Sequence, residues 1–122
     1  MRNLILLILL FLGFATSAQN ETNNWYFGNK AAMDFNGGVR TILNDSQMNA
    51  PYGSANISDK QGNLLFYTDG QTIWNKNHEI MDNGEGLKGD PNNTQTSIII
   101  PRPDNDLEYF VFTTSATDGI QY

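Results

Sequence analysis

Short apolar runs alternate with clusters of turn residues along the chain after residue 18. No segment shows the sustained i, i+3, i+4, i+7 apolar spacing of an amphipathic helix. Runs rich in β-branched and aromatic residues, bounded by Gly, Asn, Asp or Pro, are typical of strands. The pattern therefore predicts an all-β chain of antiparallel meanders. Strands are predicted over 25–27, 32–35, 39–43, 54–58, 64–68, 71–75, 77–81, 97–100, 109–113 and from 120, with a polar loop over 44–53.

A similar unit occurs twice in the second half of the chain. Ile57 aligns with Ile99, 42 residues later, and Phe66 aligns with Phe110, 44 residues later. A period of about 40–50 residues with four short strands per unit is typical of a β-propeller blade. We predict the first blades of an incomplete propeller, and a small β-sandwich of regular hairpins is the alternative. Because Tyr122 lies in an apparent strand without a capping segment, we expect a longer protein that continues with further blades.

The first residues have the order of a secretory signal peptide. Arg2 precedes an apolar run over 4–14, and small residues ending in Ala18 follow. The alternative, a membrane anchor, needs about 20 apolar residues, and this run is shorter. We predict cleavage between Ala18 and Gln19, export to the periplasm or the outside, and no integral membrane span. The chain then divides into a signal peptide at 1–18, N-terminal strands and a loop at 19–53, and about one and a half repeats at 54–122.

Composition excludes several classes of function. The chain has 13 acidic and 7 basic residues, so its net charge of −6 disfavours nucleic acid and anionic membranes as partners. The absence of cysteine excludes disulfides, thiolate zinc sites and a cysteine nucleophile. Asparagine and glycine are heavily used, which favours tight turns over helices.

One ordered series of residues resembles a known family. The series reads NWYFG at 24–28, AMDF at 32–35 and SDKQGNLLFYTDG at 58–70, and it continues through 75–81 and 96–101. It is similar to the N-terminal region of large secreted Bacteroidota proteins with a gliding motility-associated C-terminal domain, also called the type B sorting domain of the type IX secretion system. The resemblance implies the start of a propeller-like repeat domain, often followed by immunoglobulin-like modules and the sorting domain. These 122 residues contain no sorting domain, so surface display by that route is not expected.

Two catalytic or cofactor motifs fail on their context. Gly84, Gly86 and Gly89 fit the letters of a dinucleotide-binding loop, which must open a helix, but the Asp-Pro that follows cannot do so. His78 is the single histidine, and no serine stands in a G-x-S-x-G turn. We therefore predict no catalytic or cofactor-binding residue and interpret His78 as an exposed or hydrogen-bonded residue at a strand end.

The oxygen-rich loops are candidate sites for one ligand, calcium. Calcium prefers carboxylate and amide oxygens, and secreted proteins meet it at high concentration. The alternation of Asp104, Asp106 and Glu108 lacks the glycine and glutamate of an EF-hand loop, so a solvated turn is the alternative. No other cofactor is predicted. The calcium candidates are Asp82, Glu85, Asp90, Asp104 and Asp106.

The aromatic residues allow two interpretations. Trp25, Tyr26, Tyr67, Trp74 and Tyr122 are candidates for a sugar-stacking platform, whereas aromatic side chains in strands usually belong to the core. We predict that Trp74 is core and that it lies with Phe66 on the buried side of the central meander.

Together these observations predict a non-catalytic extracellular binding or structural module with a protein or glycan ligand. A secreted glycan-acting hydrolase is the alternative, supported by the acidic loops and the aromatic residues.

Overall fold

The computed structural model describes residues 20–115 and the backbone of 119–121. The predicted signal peptide, with its cleavage position between Ala18 and Gln19, lies outside these residues. A single 3-10 turn at Asn20–Thr22 precedes the strands, and the prediction of an all-β chain with antiparallel pairing is confirmed. The strands are β1 (Asn24–Asn29), β2 (Ala31–Asp34), β3 (Thr41–Leu43), β4 (Asn49–Ala50), β5 (Ala55–Ser58), β6 (Leu64–Thr68), β7 (Thr72–Asn75), β8 (Ile80–Glu85), β9 (Ser97–Pro101), β10 (Tyr109–Ser115) and β11 (Gly119–Gln121).

The strands form three sheets. Sheet 1 has the order β3-β2-β1-β4, sheet 2 the order β5-β6-β7-β8, and sheet 3 the order β9-β10-β11. Sheets 2 and 3 are therefore meanders, in which each strand pairs with the next one along the chain. Short turns favour this topology because antiparallel neighbours need only a few connecting residues. Over the described residues, the three sheets do not close into a ring.

Sheet 2 lies between the other two sheets, and both of its faces are covered. Its first strand, β5, contacts β1 on one side and β9 on the other. Successive side chains of a strand point to opposite faces. Tyr67 accordingly stacks on Tyr26 of sheet 1, with ring centroids 4.7 Å apart, whereas Phe66 meets the edge of Tyr109 of sheet 3 at 5.5 Å.

The main hydrophobic cluster lies between sheets 1 and 2. Tyr26 and Ala32 contribute from sheet 1, Tyr67 contributes from sheet 2, and Met48 and Ala50 contribute from the segment that contains β4. All five side chains are buried. The cluster is small, and it shows that the contact between the two sheets is built mainly from aromatic rings and short side chains.

The prediction that Trp74 and Phe66 both lie on one buried side of the central meander is half right. Trp74 is half-buried and packs against Tyr67, with ring centroids 5.4 Å apart, and Phe66 is buried. They do not share one side, however, because Trp74 lies opposite Tyr67 in the ladder and Phe66 lies opposite Asn75. The expectation of a single buried side was wrong because both faces of sheet 2 are covered.

Two strand predictions need correction. The polar loop predicted over 44–53 contains β4, which pairs with the end of β1. The strand predicted over 77–81 begins only at Ile80, because Asn75 turns the chain before that point. The side-chain oxygen of Asn75 accepts the backbone N–H groups of Asn77 at 2.8 Å and Glu79 at 3.1 Å. His78 consequently lies in the turn, with a left-handed φ of 63°.

The repeat also has a different alignment from the one predicted. Ile57 pairs with Phe66 in sheet 2, and Ile99 pairs with Val111 in sheet 3. Phe110 pairs with Ile100 instead, so the two predicted matches, Ile57 with Ile99 and Phe66 with Phe110, do not fit one superposition. Phe110 lies on the face of sheet 3 opposite to Val111 and is exposed.

Candidate functional site

A cluster of polar and aromatic side chains joins sheets 1 and 2. Tyr26 comes from β1, Tyr67 from β6, Asp45 from the segment between β3 and β4, and His78 from the turn between β7 and β8. The Tyr26 hydroxyl donates to Oδ1 of Asp45 at 3.1 Å. Nε2 of His78 lies 3.3 Å from the other oxygen of Asp45, and Nδ1 lies 3.2 Å from the Tyr67 hydroxyl. The four side chains form one connected network.

Burial raises the pKa of both phenols in this network. Desolvation is the main cause that raises the pKa of Tyr26, and the carboxylate of Asp45 raises it further. Desolvation also raises the pKa of Tyr67. The hydrogen bond that its oxygen accepts from the Gln47 N–H, at 3.1 Å, opposes part of this increase. A low-dielectric site disfavours the phenolate in both cases.

The network has the order of an acid–base relay, with Asp45, His78 and Tyr67 in contact one after the other. Its geometry nevertheless serves to hold the fold together. A catalytic hydroxyl must reach a substrate, and a general base must lie within hydrogen-bond distance of the group it serves. Tyr67 is 0% exposed, so its hydroxyl contacts only protein groups. The arrangement therefore ties the turn at His78 to sheet 1.

Two of the three glycines of the dinucleotide-like motif, Gly84 and Gly89, lie in close contact with the backbone of neighbouring residues. Gly84 lies within β8, and the N–H of Gly89 donates to the Gly70 carbonyl at 2.9 Å. A Cβ atom on Gly89 would lie 2.4 Å from that carbonyl oxygen, so only glycine fits there. The motif is followed at 91–94 by a turn and not by a helix. A phosphate therefore has no helix N-terminus to bind there.

The structure does not gather the five calcium candidates into one metal site. Asp82 and Glu85 are exposed on β8, and Asp104 is exposed in the loop before β10. Asp90 accepts the Asn92 N–H at 2.9 Å, and Asp106 pairs with Lys60 at 2.5 Å. No group of three or more histidine, aspartate or glutamate side chains in the described part of the chain is arranged to hold a metal ion.

A groove of about 570 Å³ lies where the first strands of the three sheets meet. Trp25 and Phe27 of β1, Asn56 of β5 and Ile98 of β9 are among its lining residues, with Gln95 just before β9. Among the residues that the structure describes, none of those lining the groove carries a charge. A groove of this kind suits an apolar or neutral polar group better than an ion.

Trp25 is held in place at this groove while much of its ring remains open. Its Nε1 donates to the Thr22 carbonyl at 2.9 Å, and its ring lies 5.2 Å from that of Phe35. The residue is 53% exposed. The other described candidates for a sugar platform, Tyr26, Tyr67 and Trp74, stack between sheets 1 and 2, so these residues form no common platform with Trp25.

Comparison of the chain with protein-family models, with curated proteins and with solved structures finds no match in any of the three. Among the helices of residues 20–115, none is long and apolar enough to cross a membrane.

Sequence reasoning named His78 but missed its partners. Asp45 lies in a segment predicted as a plain polar loop, and its contact with His78 joins residues that are far apart in the sequence. The only local signal was the Asn-x-Asn-His order, in which Asn75 makes the turn that presents His78.

Proposed function

We propose that this chain is a non-catalytic structural or binding module: the first blades of a β-propeller within a secreted protein. The observation that carries the proposal is the position of β5 between β1 and β9. In a propeller, each blade is a meander whose first strand lies at the central axis. Strands β1, β5 and β9 line one groove, and in sheets 2 and 3 the chain runs outward from that groove in sequence order.

The covering of sheet 2 favours a propeller over a sandwich. A sandwich packs two sheets face to face and leaves their outer faces in solvent. Sheet 2 here contacts one sheet on each face, through the Tyr67–Tyr26 and Phe66–Tyr109 pairs. Blades stacked around an axis make this kind of contact, since each blade is covered by its two neighbours.

The outer faces of the end sheets support the presence of further blades. Ile42 of sheet 1 and both Ile98 and Phe110 of sheet 3 are exposed, although each is a large apolar side chain. A contiguous exposed apolar surface on a soluble protein usually marks an interaction site. Further blades of a longer protein are the partners that a propeller supplies at these faces.

The order of residues 1–18 supports export by a signal peptide, to the periplasm or the outside. The resemblance of most of residues 24–122 to the N-terminal region of secreted Bacteroidota proteins supports a link to gliding motility or type IX secretion. The ligand class that we propose is a protein or a glycan, bound without a metal or another cofactor.

An immunoblot of the native organism's exported fraction, with antibodies against residues 20–115, tests the module. We expect a band well above the 13.6 kDa of the 122-residue chain, because further blades belong to the same polypeptide. A band only at or below that mass contradicts the proposal. Incubation of the purified chain with a panel of glycans should release no product, and hydrolysis would instead establish the alternative of a glycan-acting hydrolase.

A further inference from the structure

The groove at β1, β5 and β9 combines open aromatic rings with uncharged polar groups. Trp25 and Phe27 of β1 line it and are 53% and 38% exposed. Hydroxyl and carboxamide groups come from Ser54, Asn56 and Gln95. Within the described part of the chain, no charged side chain is among the lining residues of this space of about 570 Å³. These properties fit a neutral ligand that has both an apolar surface and several polar groups.

The ring of Trp25 is held in position before a ligand arrives. Its Nε1 donates to the Thr22 carbonyl at 2.9 Å, and the ring of Phe35 lies 5.2 Å away. A side chain that is already ordered loses little conformational entropy on binding. One face of a sugar ring carries C–H groups, which suit the electron-rich face of an indole ring. Trp25 is therefore well placed to stack on a sugar.

Ser97 supplies an independent observation at the same groove. The residue is a lining residue and is 2% exposed, and its Oγ has no hydrogen-bond partner among the described residues. Gln95 lies beside it, with Nε2 donating to the Ser97 carbonyl at 3.2 Å. Buried hydroxyl groups without a partner are uncommon in native proteins. A ligand hydroxyl at this wall of the groove would give Ser97 the missing partner.

Side chains near β5 disfavour an extended peptide as the occupant. A peptide that adds to a sheet needs free backbone groups along an edge strand. The Asn56 side chain already bonds to the N–H of Tyr26 and the carbonyl of Asn24, and the Ser54 hydroxyl donates to the Tyr26 carbonyl at 3.1 Å. The edge of β1 that faces β5 therefore offers few such groups to a peptide.

We infer that this groove binds a neutral glycan, with one sugar ring stacked on Trp25 and sugar hydroxyls bonded to Gln95 and Ser97. The inference rests on the proposed function, and it names the ligand class and the place that the proposed function leaves open. Propeller blades surround a central channel, so under the proposed function a groove at the axis stays open when further blades are added. The contact does not require the apolar residues of sheets 1 and 3 that the proposed function assigns to further blades.

The experiment is a titration of the purified chain with oligosaccharides, followed by calorimetry and by tryptophan fluorescence. The panel contains neutral gluco-, manno-, galacto- and xylo-oligosaccharides, with sulfated and uronate-containing oligosaccharides and neutral extended peptides for comparison. We expect at least one neutral oligosaccharide to bind and to change the emission, because Trp25 is one of only two tryptophans in the chain. The charged sugars and the peptides should not bind in the groove.

Variants of the lining residues separate binding from folding. Trp25→Ala should weaken binding by about tenfold or more, since it removes the stacked ring, and Trp25→Phe should bind more tightly than Trp25→Ala because it keeps a ring. Ser97→Ala should weaken binding without lowering the melting temperature, because the buried hydroxyl that it removes has no partner. Tyr52→Ala, at an exposed aromatic residue outside the groove, should bind like the wild type. Near-ultraviolet circular dichroism checks that every variant is folded.

Three results would overturn the inference. The first is a folded wild-type chain that binds no neutral oligosaccharide of the panel. The second is binding that Trp25→Ala leaves unchanged, and the third is a preference for the charged sugars or the peptides. None of these results alters the mass that the immunoblot reports, so failure of this inference and failure of the propeller module are distinguishable.

Discussion

The side chain of Asn56 accepts a hydrogen bond from the backbone N–H of Tyr26, at 3.0 Å, across the boundary between sheets 1 and 2. The same carboxamide donates to the carbonyl of Asn24 at 2.5 Å. One side chain thus forms hydrogen bonds with two backbone groups of β1, as a neighbouring strand would. Because unpaired backbone groups away from water are costly, this pair allows β1 and β5 to lie side by side without a β-ladder between them.

We predict that Asn56→Ala lowers the free energy of unfolding by about 1–3 kcal/mol, because it leaves a partly buried N–H and a carbonyl without partners. Asn56→Asp should also destabilise the protein, since a carboxylate can accept from Tyr26 but cannot donate to Asn24. Urea denaturation measures the effect, and Asn77→Ala, at an exposed turn position, is the control. Equal stability of Asn56→Ala and the control would contradict the bridging role.

Asp59 should make stability depend on pH. Hydrogen bonds from the side chain and backbone of Asn63, at 2.9 and 2.8 Å, lower the pKa of its carboxyl group in the folded protein. A lowered pKa contributes stability above the unfolded-state value, about 3.9 for aspartate, and this contribution disappears as the pH falls through the folded pKa.

We therefore expect Asp59→Asn to be less stable than the wild type at neutral pH, with the difference shrinking below about pH 4, where the unfolded-state carboxyl begins to protonate. Denaturation curves from pH 7 to pH 2.5 provide the measurement. Asn77→Ala, at an exposed turn position without a carboxyl group, is the control and should show no such dependence on pH. A pH-independent effect of Asp59→Asn would exclude the carboxylate as its cause.

Gly89→Ala should destabilise the protein by about 1–3 kcal/mol, the usual range for overpacking, because its Cβ would press on the Gly70 carbonyl. Gly37→Ala is a matched control, since nothing lies within 4 Å of the position of its Cβ. Surface substitutions of that kind usually change the free energy of unfolding by no more than about 0.5 kcal/mol. Thermal unfolding of the two variants compares them directly, and similar melting temperatures would show that the contact between the backbone at Gly70 and at Gly89 is not tight.

Trp74→Ala should cost about 2–4 kcal/mol, somewhat less than the ~3–5 kcal/mol of a fully buried tryptophan, because Trp74 is only half-buried against Tyr67. Chemical denaturation measures the loss, and Tyr52→Ala, at an exposed position, serves as the control. A loss near zero would mean that the stacked rings contribute little to the contact between sheets 1 and 2.

The exported protein should begin at Gln19 or a neighbouring residue, because Ala18 ends the small-residue segment that signal peptidases recognise. Mass spectrometry of the N-terminal peptide from the exported fraction gives the answer. A product that retains Met1 and stays in the membrane would favour the membrane-anchor alternative.

Local sequence signals predicted the strands well where turns are made by local hydrogen bonds. Asp59 accepts the N–H groups of Gln61 and Asn63, so the turn before β6 can be recognised from five residues, and β6 itself was predicted with its observed bounds. β4 was missed because Asn49 and Ala50 have no apolar alternation, and they form a strand only through pairing with β1.

The candidate site was less accessible to sequence reasoning. The contact of His78 with Asp45 depends on how sheets 1 and 2 are placed, which no local pattern encodes. The groove likewise collects residues from three separate strands, and its lining becomes apparent only when β1, β5 and β9 are brought together. Trp25 was among the aromatic candidates, but nothing in the sequence distinguished it from Tyr26, which is buried.

When the chain emerges N-terminus first from a ribosome or an export channel, the two faces of sheet 2 become covered at different times. Tyr26 precedes Tyr67, so sheet 1 is already available when sheet 2 forms. Phe66 must wait until Tyr109 has emerged, and during this interval its face of the sheet is bare. A factor that shields nascent apolar strands should therefore be needed most between the appearance of β6 and the appearance of β10.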